Sequence, residues 1–203
     1  ACGLATNSGL PTGGEPGSCS DPSVETEESC VAAGHVWELP TCNVVAVHSD
    51  YVSTSVSLLN ADGTLCIDNL INSGSAALDL VAALSGDVVL PSTPDPEGRV
   101  VLIDRYPHAV VSLVEADAPE VVSQLSVAMG FPSNPQDVAF LGDGRAYISR
   151  LTTNVSPSPD AGGLDAGGDL LIVDVALLEP IGRVALSAEP GFDPMPRHVV
   201  PLG

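Results

Sequence analysis

Four cysteines, Cys19, Cys30, Cys42 and Cys66, carry the most definite chemistry in this 203-residue chain. Three of them sit in CSDPSVETEESCVAAGHVWELPTC, a segment with Pro, Ser, Glu and Gly but little apolar periodicity. Such a segment cannot bury enough surface to hold itself together, and cross-links are the remedy. In an exported chain, four cysteines form two bridges with three connectivities open, and the fifth, Cys2, is left over. Zinc is the rival for the same thiols, but the long intervals between them lack the C-x2-C knuckle of structural zinc sites.

Oxygen ligands come next. The stretch SPDAGGLDAGGD sets Asp160, Asp165 and Asp169 in a Gly-rich loop. Calcium takes about six to eight hard oxygens, and a flexible acidic loop with exposed carbonyls supplies several, so these three are the candidate calcium ligands. Their spacing is not that of an EF-hand and no terminal Glu closes the loop; the alternative is a solvated insertion. The four histidines, His35, His48, His108 and His198, are read as having no partner at the i, i+4 helical spacing or within an H-x-H strand pattern, so the sequence assembles no metal site from them. Nucleophile, phosphate-loop and zinc-protease motifs are absent, and no catalytic residue is assigned.

The elements that would position these groups are strands. From residue 43 onward the chain consists of short, Val-rich apolar runs broken by Gly, Pro, Asp and Asn. The segment APEVVSQLSVAMG fits a short helix or a strand equally well, and Asp62-Gly63 between two apolar runs reads as a hairpin turn. A repeat runs through the strands. DVAFLGDG, starting at Asp137, aligns without gaps on DLVAALSG, starting at Asp79, at an offset of 58 residues, and each is followed by a second strand. A third copy opens at PRHVVPLG, where His198 falls in the slot of Asp137, 61 residues later. Behind each hairpin comes another pair, GRVVLID with HAVVSLVEA and GDLLIVD with IGRVALS; VSLLN with TLCIDN matches the second half of an earlier unit. Asp79, Asp137 and His198 therefore occupy equivalent positions at the start of successive units, and they are axial-face candidates for binding or catalysis. The alternative is a polar residue that bonds its own turn.

Four short strands repeating at about 60 residues is the pattern of a β-propeller blade. The motif, with Pro ahead of the Asp, an apolar strand, a Gly-rich turn, then AYIS and LLIVD, resembles the YVTN and NHL-like propeller repeats of secreted bacterial proteins over residues 56–203. The resemblance implies a fold and is nearly silent on function. The expected fold class is all-β: a partial β-propeller of four-stranded blades, or alternatively a β-sandwich, with a small disulfide-linked N-terminal cap. The units counted do not close a ring, so the expected partner is another protein chain or further blades of the same one.

Composition narrows the rest. With a formal charge of −20 and six Arg but no Lys, the chain repels phosphate backbones and anionic lipid, which argues against nucleic-acid binding. No apolar run reaches the ~20 residues of a membrane span. The opening ACG resembles the end of a bacterial lipoprotein signal, which would make Cys2 the lipid anchor, although a processed lipoprotein begins at the cysteine; a disulfide or a free thiol are the alternatives. The organisation expected is a flexible tether over 1–18, a cysteine-rich cap over 19–42 and blades over 43–203. The function expected is non-catalytic binding or structural assembly outside the cytoplasm, by a secreted or outer-surface lipoprotein that needs no cofactor unless calcium sits in the acidic loop. The alternative is an enzyme or metal-dependent propeller with an axial site completed by other blades.

Overall fold

The structure, a computed structural model, describes residues 18–38, 42–75, 80–116 and 122–202. Cys2, the tether up to residue 17 and Asp79 lie outside the described residues. Among those described, the chain is nearly all-β, with antiparallel sheets and one short helix, and no helix is long and apolar enough to cross a membrane.

The cap pairs β1 (Ser18–Cys19) with β2 (Trp37–Glu38) around α1 (Glu27–Ala32). Thr26 caps the helix, its hydroxyl accepting the Ser29 N–H. The disulfide Cys19–Cys30 ties the strand to the helix, and Cys42–Cys66 ties the end of the cap to a strand of the next sheet. The chain accordingly divides otherwise than its composition suggests. One compact unit joins the chain up to Val44 to Leu58–Ile67, and the other contains Val45–Ser57 and everything from Asp68.

β3 (Val44–Ser49), β4 (Thr54–Leu59) and β5 (Leu65–Asn72) lie side by side in sequence order. The β4–β5 turn is the expected Asp-Gly hairpin: Gly63 has φ 84°, and the Asp62 carboxylate accepts the Thr64 N–H at 2.9 Å. The second sheet runs β6 (Val88–Val89), β7 (Val100–Asp104), β8 (Val110–Val114), β9 (Val122–Ser126), and the third β10 (Pro135–Phe140), β11 (Arg145–Thr153), β12 (Gly167–Asp174), β13 (Glu179–Ala185). Every neighbouring pair in these two sheets is antiparallel. The ambiguous APEVVSQLSVAMG resolves as β9, because β8 offers its alternating residues a ladder.

Period-2 patterning sets the core. Val138, Ile148 and Leu171 are cross-strand partners on one face of the third sheet, and Ile103, Val111 and Leu125 are partners on one face of the second. All six are buried in one cluster, so the two faces pack on each other. β7 and β8 are buried along their whole length, on both faces.

Two expectations about the repeat need correction. The second halves recur as paired strands, β7 with β8 and β12 with β13, and β10–β11 is the quoted hairpin. Its counterpart over 79–92 is not: residues 80–87 form no strand, and β6 pairs with β7 instead. Side chains take the place of a ladder there. The Gln124 amide bonds both the N–H and the C=O of Ala82, Asp104 accepts the Ser85 N–H, and the Ser49 and Thr54 hydroxyls donate to the carbonyls of Gly86 and Ser85. The segment 194–202 likewise holds no strand, and Val200 and Leu202 are 57% and 97% exposed.

Candidate functional site: a buried carboxylate node

Asp137 enters β10 behind a bulge. Pro135 faces Arg150 and Asp137 faces Ser149, which leaves Gln136 as the extra residue and re-aims the side chain that follows. Asn134, just before, has φ 52°, a left-handed conformation that asparagine tolerates better than most residues. The Asp137 carboxylate is 1% exposed. Its Oδ1 accepts the N–H of Ser92 at 2.7 Å and of Val138 at 3.0 Å, and its Oδ2 accepts the N–H of Val199 at 3.1 Å. His198 Nδ1 lies 3.4 Å from the same Oδ2 and 3.1 Å from the Ser92 hydroxyl. Three backbone N–H groups fill three of the roughly four acceptor sites of a carboxylate. What the group does is hold three backbone segments together. The His198 side chain is 75% exposed, so its ring is the part of the node that solvent reaches.

Of the three axial-face candidates, then, Asp137 and His198 meet, across 61 residues of sequence, and Asp79 is outside the described residues.

The acidic loop does not gather its carboxylates. Asp160 is exposed at the start of a single 3-10 turn, Asp165 is buried with Oδ2 accepting the Ser158 N–H, and Asp169 is wholly buried on β12. Asp169 accepts Arg150 Nε and Nη2, both at 2.8 Å, and Arg183 Nη1 at 3.1 Å. Two guanidinium groups already neutralise it. The Phe131 ring lies 5.7 Å from the Arg150 guanidinium carbon. Among the described residues no group of three or more His, Cys, Asp or Glu is placed to hold a metal ion.

Two features escaped sequence reasoning. The Arg150–Asp169 pair had one signal, an arginine inside the apolar strand AYISRLTT of a chain with six arginines. The other is Asp104, 2% exposed, which accepts the N–H and hydroxyl of Ser85 at 2.7 and 2.6 Å and faces His108 Nδ1 at 3.1 Å. Its signal was the spacing of Asp104 and His108 in DRYPH, visible only when carboxylates are counted as histidine partners.

No protein-family model matches the chain, and no curated protein matches it.

Proposed function

We propose that this chain is a non-catalytic, extracytoplasmic binding or assembly module built on β-propeller blades, resembling the YVTN and NHL-like repeats. The coarse setting is that of an oxidising compartment, where two disulfides persist; a lipid on Cys2 would hold the module at a membrane surface. Two four-stranded sheets that each run in sequence order and pack face to face are what adjacent blades look like. In this reading the second face of the third sheet, where Tyr147 and Ile172 are only half-buried and Val184 is exposed, receives a further blade from the same polypeptide or a neighbouring one.

The observation that carries the reading is the Asp137 clamp. The carboxylate binds the chain at Ser92, 45 residues before it, and at Val199, 62 residues after it. A slot residue occupied by backbone amides of its neighbours serves assembly, and one left open would serve catalysis. The test is Asp137→Ala. Three N–H groups, those of Ser92, Val138 and Val199, lose an acceptor worth about 1.5–3 kcal/mol each, so stability should fall by roughly 4 kcal/mol or more, with faster amide exchange at Ser92 and Val199. A variant as stable as the parent, with unchanged exchange at both amides, would return Asp137 to the groups available for chemistry.

A further inference from the structure

The β3–β4 turn and the end of β5 enclose an open cleft of about 540 Å³, and every residue lining it is polar or glycine. Such a wall offers a ligand chiefly hydrogen-bonding groups, so the ligand must carry donors and acceptors of its own. The cleft offers a fixed set. The Ser55 hydroxyl and Asn72 Nδ2 both donate to Asn69 Oδ1 at 2.9 Å, which orients the Asn69 amide and leaves its Nδ2 without a partner among the described residues. Asp50 accepts Val52 N–H, Ser53 N–H and the Ser53 hydroxyl all on Oδ1, leaving Oδ2 open. The His48 imidazole, also in the wall, makes no hydrogen bond among the described residues.

The backbone holds this set in place at some cost. Tyr51 and Asn69 adopt φ of 65° and 54°, the left-handed region that side chains disfavour. Gly86 presses on the turn so closely that a Cβ there would stand 2.2 Å from the Tyr51 carbonyl carbon. Tyr51 itself is 89% exposed beside Asp50. Tyr51 thus stands out of the surface in the turn whose Asp50 and Ser53 line the cleft.

We infer that this cleft is a binding site for a neutral saccharide, with the Asn69 amide and Asp50 Oδ2 taking ring hydroxyls and Tyr51 supplying a flat apolar face for the C–H side of a sugar ring. Polyhydroxyl rims with apolar faces match an amide, a carboxylate and an exposed aromatic. A net charge of −20 repels uronic and sialic acids, so the sugar is uncharged. The site shares no residue with the Asp137 clamp, and it stands or falls independently of the propeller reading.

The test uses the full 203-residue chain, labelled with ¹⁵N, titrated with cellotetraose, chitotetraose, maltotetraose and α-mannotetraose, and with oligogalacturonate as the charged comparator. At least one neutral probe should give saturable shifts at the Asn69 side-chain amide and the Tyr51 and Asn72 amides, and the acidic probe should give none. Tyr51→Asn keeps a residue that tolerates the left-handed backbone, and Asn69→Asp replaces the donor; each should weaken binding about tenfold or more, with the remaining spectrum unchanged. No saturable shift at about 10 mM of any neutral probe, shifts centred elsewhere, or affinities within about twofold of the parent in both variants would overturn the assignment.

Discussion

Replacing Asp169 by alanine should cost the protein about 3–5 kcal/mol, the range for removing one partner of a buried ion pair. The structure puts the site at the severe end of such changes. Asp169 and Arg150 are both wholly buried, and the pair is bidentate. Arg150 Nη1 already lacks a partner among the described residues, so without Asp169 the guanidinium has only the Phe131 ring for compensation. Arg183, the second cation on Asp169, is 28% exposed and can turn to water, so it adds little to the penalty. Against a net stability of about 5–15 kcal/mol, the loss should lower the melting temperature by the order of 10 °C. Far-UV circular dichroism through a urea titration is the suitable assay, because the one tryptophan, Trp37, lies in the cap and reports on another unit. Arg150→Met combined with Asp169→Leu removes both charges and should recover at least half of the loss. If Asp169→Ala costs less than about 1 kcal/mol, or if the double variant is less stable than the single one, the buried pair is not what holds β11 to β12 at this point.

The second face of the third sheet supplies another prediction: the 203-residue chain should bind an apolar dye or associate through it, and Ile172→Asp should suppress either behaviour. A compact, stable monomer that takes up no dye would favour the closed two-sheet sandwich. Acid titration tests the turns. Asp50 is held below the ordinary carboxylate range by the N–H groups of Ser53 and then Val52, Asp62 by the hydroxyl of Thr64, and Asp143 by the guanidinium of Arg145. Because folding lowers these pKa values, the carboxylates support their turns above the unfolded value of about 4 and lose that support as pH falls through the lower folded values. Carbon-13 titration should place all three midpoints below that of a solvated aspartate, and a midpoint at or above it would refute the capping role.

Local physics made part of this architecture readable without coordinates. Alternation of period 2 places Val138, Ile148 and Leu171 on one face wherever their strands pair, since successive side chains of a strand point to opposite sides. Gly63 and Gly144 follow aspartates at hairpin tips and take φ of 84° and 82°, where glycine carries no Cβ penalty. The apolar poverty of the cap called for cross-links, and the four described cysteines form two. The strand and turn potential in these features comes from residues within a few positions of one another, and the need for cross-links from composition.

Other features needed the tertiary structure, because they depend on which distant segments meet. Composition drew a boundary at residue 43, but Cys42 bonds Cys66 and takes the β4–β5 turn with the cap. An apolar run at 80–84 has strand character, yet the backbone of Ala82 at its centre is bonded by Gln124 and Ser85 beside it by Asp104, and the run lies outside the ladder. Asp169 looked like a calcium ligand from its glycine-rich neighbourhood, and its partner turned out to be Arg150, 19 residues earlier on the adjacent strand. Asp137 was marked by the repeat, but only folding decided that its carboxylate would accept the N–H groups of Ser92, Val138 and Val199 and stand 3.4 Å from His198 Nδ1. Sequence by itself determined strand, turn and cross-linking potential, because those depend on local sterics and on burial averaged along the chain. The fate of each buried charge was decided by tertiary structure, because a carboxylate removed from water takes whichever donor the packing brings within hydrogen-bond reach.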